Sequence, residues 1–60
     1  MNTTMPVWLY ESSIKFAVEQ SRDPSYSDMT QLVFANYAQA LRDCYEITRD
    51  EFGKEIARLK

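Results

Sequence analysis

The sequence predicts an all-α fold: a small three-helix bundle, or a helical hairpin with a bent C-terminal helix, with a dimer as the alternative state. Three observations carry this expectation. Apolar residues recur at helical spacing through residues 7–18 and again through residues 26–47. A capping box opens a third stretch at Thr48. The connections between the stretches are short, as between antiparallel helices. The expected helices cover roughly residues 6–21, 25–46 and 49–59 of a single small domain, 1–60.

In the first helix Pro6 suits the first turn. Val7, Tyr10, Ile14, Ala17 and Val18 fall on one face, and Glu11, Lys15 and Glu19 stack at i, i+4 on another. Leu9 and Phe16 lie outside the main apolar face, and Trp8 prolongs the charged side. Residues 14–19 also alternate with period two, so residues 7–18 fit a β-hairpin as the competing form, although no Gly, Asn or Asp marks its turn. Asp23-Pro24 is a helix start for the second segment, with Ser25 and Ser27 as later alternatives. There Val33, Tyr37, Ala40, Leu41 and Cys44 form one wide apolar face, joined by Tyr26, Phe34 and Ile47. Asp28 is the only charge between Pro24 and Leu41. A helix so poor in charge is central, or is covered by another chain.

The third stretch carries Thr48 as N-cap, Glu51 three residues on, and a hydrophobic staple between Ile47 and Phe52. Gly53, the only glycine, falls inside it. With Ala57 four residues later it makes a small strip against which a helix of the same chain or of a partner packs closely, the competing reading being a tolerated exposed glycine or an early helix end. Phe34, Tyr37, Leu41, Phe52 and Ile56 are the expected core.

Composition bounds the function. The chain has 60 residues, no histidine and one cysteine, so neither an intramolecular disulfide nor a Cys/His zinc site within one chain is available. A domain this small is marginal and is usually stapled or oligomeric, or very well packed. The unpaired cysteine fits a reducing compartment, and the N-terminus shows no basic region ahead of a long apolar run; the expected location is cytoplasmic, without a membrane span. Without histidine, without a glycine-rich phosphate loop, and with Cys44 on an apolar face, no catalytic constellation forms; we expect no enzyme, no cofactor, no metal and no small-molecule substrate.

Two functional classes remain. Residues 42–60 have the outline of a helix-turn-helix, whose DNA contacts would come from Arg49, Lys54 and Arg58. Asp50 and Glu51 would then point at phosphates. Five basic and five acidic side chains cancel over the same stretch, and the whole chain has a net charge of −2. Both facts oppose nucleic-acid binding. The outline also resembles the two-helix hooks by which small repressors and antirepressors dimerise, which implies self-association. The favoured expectation is therefore a non-catalytic protein-interaction module, a regulator or inhibitor that binds another protein or forms a homodimer. Its expected contact residues are Trp8, Leu9, Phe16 and Leu32, with Gly53 and Ala57 on the third helix.

Overall fold

A computed structural model describes residues 3–60 and is mixed α/β. Strand β1 (Thr4–Pro6) leads into helix α1 (Val7–Ser21). Helix α2 (Asp28–Cys44) is followed by strands β2 (Tyr45–Arg49) and β3 (Glu55–Leu59). The strands form one antiparallel sheet in the order β1-β3-β2. The expected all-α three-helix bundle is thus corrected, as is the hairpin with a bent helical tail. Among the described residues there are two helices, and a β-hairpin stands where the third helix was expected. Met1 and Asn2, the start of the expected leader, lie outside the described residues.

The reason lies in the turn. Asp50 N–H donates to the Lys54 carbonyl at 2.9 Å, and Gly53 N–H donates to the Asp50 carbonyl at 3.0 Å. The Asp50 carboxylate accepts from the N–H groups of Phe52 and Lys54, both at 2.9 Å. Gly53 has φ +79°. This is a three-residue hairpin loop, a type I turn followed by a left-handed residue. Aspartate at its first position and glycine at its fourth are the residues a type I turn prefers. The capping-box pattern at Thr48 and Glu51 uses the same few residues. It loses because Asp50 satisfies two backbone donors in the turn and Gly53 disfavours a helix.

The flanking strands alternate. Met5 and Ile47 both sit opposite Ala57, and Tyr45 sits opposite Leu59 on the same face. Thr4, Glu46, Thr48 and Arg58 occupy the other face, where Arg58 and Glu46 pair across the strands at 3.1 Å. Ala57 is fully buried in the central strand. β1 extends the sheet by pairing with β3, and Pro6 is tolerated there because β1 is an edge. The Tyr45 ring lies 5.9 Å from that of Tyr10, joining sheet to helices.

Residues at 4-3-4 spacing make the seam between the helices. Tyr10, Ile14, Ala17 and Ser21 supply it from α1, and Phe34, Ala38 and Leu41 from α2, continued by Tyr45. Ala17, Ala38 and Leu41 are buried, and Tyr10, Ile14 and Phe34 are half-buried. Two expected core residues are corrected here: Tyr37 is 51% exposed and Phe52, at the hairpin tip, is 85% exposed. Tyr37 falls one position before Ala38, off the seam, and Phe52 belongs to the turn.

α2 starts at Asp28, three residues later than expected, because Asp23 is committed elsewhere. Its carboxylate accepts from the Ser25 hydroxyl at 2.7 Å and from the Ser25 N–H at 2.9 Å. Ser27 is the cap, accepting from Thr30 N–H at 3.2 Å. α2 also stops at Cys44 rather than at residue 46, because Tyr45 and Glu46 pair with Leu59 and Arg58.

Two outcomes follow from this fold. Gly53→Ala meets open space, yet must hold a left-handed φ. It should lose about 1 kcal/mol in denaturant unfolding, with Gly53→Asn losing less; a gain in stability would contradict the turn. The bonds from the Ser25 hydroxyl and then the Ser25 N–H hold the Asp23 carboxyl below its ordinary value of 3.8. The folded state therefore favours its charged form. That stabilisation is complete above pH 3.8 and is lost as pH falls through the lower folded value. Asp23→Asn should remove this part of the acid limb of the stability–pH curve, read by circular dichroism.

Candidate functional site

The molecule is thin, 43 × 17 × 16 Å, with the sheet at one end of a two-helix hairpin. Each helix thus has one helical neighbour and leaves most of its circumference free. Two grooves run along the hairpin, one on either side of the α1–α2 seam, and they differ in chemistry.

The first groove, about 480 Å³, is lined by Ser12, Ser13, Phe16, Val33, Phe34 and Tyr37. None of these is charged. Phe34 stands beside two other rings, edge-on to Phe16 at a centroid distance of 6.1 Å and tilted against Tyr26 at 5.7 Å. The second groove, about 320 Å³, is lined by Glu11, Ile14, Lys15, Val18, Glu19 and Arg42. Four of those six are charged. One face of the hairpin is therefore a solvated ladder, and the other is neutral and largely apolar.

Periodicity extends the neutral face along both helices. On α2, Val33, Tyr37, Ala40 and Cys44 repeat at 4-3-4 spacing, one residue out of step with the buried stripe of Phe34, Ala38 and Leu41. On α1, Leu9, Ser13, Phe16 and Gln20 do the same beside Tyr10, Ile14, Ala17 and Ser21. Neighbouring positions on a helix lie roughly 100° apart, so each helix carries two seams side by side. One meets the other helix of the hairpin. The second is open, with Phe16, Val33 and Tyr37 each more than half exposed.

The expected contact residues divide. Phe16 lines the neutral groove, and Leu9, one heptad earlier, shares its face. Trp8 is 68% exposed but lies toward the charged side, roughly 80° round α1 from Phe16. Leu32 is exposed roughly 100° round α2 from Val33, away from the groove. Gly53 and Ala57 do not form a helical strip. Gly53 holds the turn, and Ala57 is buried in the middle of the sheet. The groove residues that were expected elsewhere are Val33 and Tyr37, read as part of one wide face. The offset of one residue between two complete 4-3-4 stripes was the available signal.

The helix-turn-helix alternative lacks its second helix. Arg49 is turned back onto the hairpin, donating to the Gly53 carbonyl at 2.8 Å and lying 3.7 Å from Glu55. Arg58 faces Glu46 at 3.1 Å. Among the described residues no group of three or more Cys, Asp or Glu side chains is placed to hold a metal ion. Among them too, no helix is long and apolar enough to cross a membrane. No protein-family model matches the chain, and neither a curated protein nor a solved structure matches it.

The groove lies beside a seam that holds the buried Ala17 and Ala38. Ala38→Leu would overfill the α1–α2 seam, and we expect a loss of about 1–3 kcal/mol in thermal or denaturant unfolding. Stability equal to wild type would mean that the helices are not closely packed at that point.

Proposed function

We propose that the protein is a non-catalytic interaction module that binds protein through the neutral face of its helical hairpin, with Phe16, Val33 and Tyr37 at its centre. The observation that supports this reading is the second, uncharged seam, apolar on α2 and mixed on α1, where Leu9 and Phe16 alternate with Ser13 and Gln20. An ordinary surface helix has one apolar stripe and a charged remainder. Here α1 and α2 each present a second stripe on the same side, free of charge from Leu9 to Gln20 and from Met29 to Cys44. A contiguous exposed apolar patch of that kind marks an interaction site. Phenylalanine and tyrosine are also the side chains that interfaces concentrate.

The experiment replaces Tyr37 by the photo-crosslinking residue p-benzoylphenylalanine in cells that make the protein. Lys15, on the charged face, receives the same residue as control. Position 37 is expected to give discrete crosslinked protein bands and position 15 none. Absence of crosslinks from position 37, or the same bands from both positions, would overturn the reading.

A further inference from the structure

We propose that the neutral face is covered by a second copy of this chain, the two hairpins closing into an antiparallel four-helix bundle with the α2 helices paired across a twofold axis. This inference rests on the interaction reading above and names its partner.

Four observations point to self-pairing. First, a helix in a four-helix bundle touches two neighbours and so needs a face wider than one seam. α1 and α2 both have that wider face, and the hairpin uses one seam of each. Two hairpins face to face use all of them.

Second, a twofold interface sets a surface against itself, so any net charge on it would repel. The charged side chains of α1, Glu11, Lys15 and Glu19, and those of α2, Asp28, Arg42 and Asp43, all lie off the neutral face. Third, the α2 stripe is complementary to its own reverse. Antiparallel pairing about a point between Tyr37 and Ala40 sets Tyr37 against Ala40 of the second copy, and Val33 against its Cys44. The largest side chain thus meets the smallest.

Fourth, the chain exposes more surface than a lone chain of its mass does on average. A folded monomer of 7.1 kDa exposes about 4,100 Å² on average, whereas this chain exposes 4651 Å². The excess, roughly 550 Å², approaches the roughly 800 Å² that each partner buries in a standard interface. The interior supplies little by itself: the buried residues among those described are Ala17, Ala38, Leu41 and Ala57, and no large side chain is fully buried.

Cys44 makes the register testable. Val33 and Cys44 of one chain are eleven residues apart on α2, about 16 Å along its axis, too far for a disulfide within the chain. In the antiparallel pair they face each other across the interface. Purified wild type is expected to sediment at twice the 7.1 kDa chain mass at micromolar concentration. With oxidised glutathione as oxidant, Val33→Cys is expected to form a covalent dimer, while wild type and Lys15→Cys do not. Tyr37→Glu, which puts a charge on the seam, is expected to weaken association by more than about tenfold.

A folded wild-type chain that sediments at monomer mass at about 100 μM would overturn the pairing. So would crosslinking of wild type through Cys44 as efficient as that of Val33→Cys, which is the signature of parallel helices. If the purified chain is a folded monomer while position 37 crosslinks a different protein in cells, self-pairing fails and the interaction reading stands. If position 37 also crosslinks nothing, both fail.

Discussion

The close approach of α1 and α2 at alanine positions governs the rest of the molecule. Ala17 and Ala38 are shut off from solvent along the helix–helix seam. Small side chains there let the two backbones come near, and the larger seam residues, Tyr10, Ile14, Phe34 and Leu41, pack to either side of them. Phe16, Val33 and Tyr37, each one position before a seam residue, stand beside the seam rather than in it. The neutral face is thus a consequence of how the hairpin packs, and its breadth follows from the second stripe on each helix. A hairpin whose buried residues are two alanines and Leu41 gains little from burial, since each fully buried large apolar side chain contributes roughly 1.5–3 kcal/mol and none is present among the described residues.

The sheet completes one end of that hairpin. Its central strand is β3: β2 reaches it locally through the turn at Asp50 and Gly53, whereas β1 pairs with it from the far end of the sequence, across the whole helical hairpin. The aromatic pair of Tyr10 and Tyr45 links helix to sheet at this end. At the other end the Asp23–Ser27 connection is held locally: the Gln31 side chain donates to the Asp23 carbonyl at 2.6 Å, and Ser27 caps α2. The molecule is tied at both ends, and the neutral groove lies between them.

Much of the helical half was legible in the sequence, and the strands were not. The apolar spacing of Val7, Tyr10, Ile14 and Ala17 turns the same face inward that the structure buries. The wide face of α2 was visible as well, but treating it as one surface put Tyr37 in the core and left Ala38 unnoticed. The C-terminal helix failed for a local reason. Thr48 and Glu51 spell a capping box, while Asp50 and Gly53 spell a type I turn, and four adjacent residues satisfy only one of these patterns. Gly53, awkward inside a helix and well suited to a left-handed position, was the feature that favoured the turn. β1 had no signal of its own, because three residues become a strand only when β3 is present to pair with them. Of the expected contact residues, Leu9 and Phe16 lie on the neutral face because their spacing of seven survives folding. Trp8, on the charged side of α1, and Leu32, on the uncharged back of α2, belong to faces that the hairpin turns away from the groove.

If a second copy covers the neutral face, folding and association are one equilibrium, and stability depends on concentration. The direct measurement is the thermal midpoint of the purified wild-type chain over a hundredfold range of protein concentration. The proposed dimer predicts a midpoint that climbs steadily across that range. A midpoint that stays fixed, with a cooperative transition at every concentration, would show that the hairpin and its sheet fold alone and that no second copy covers the face.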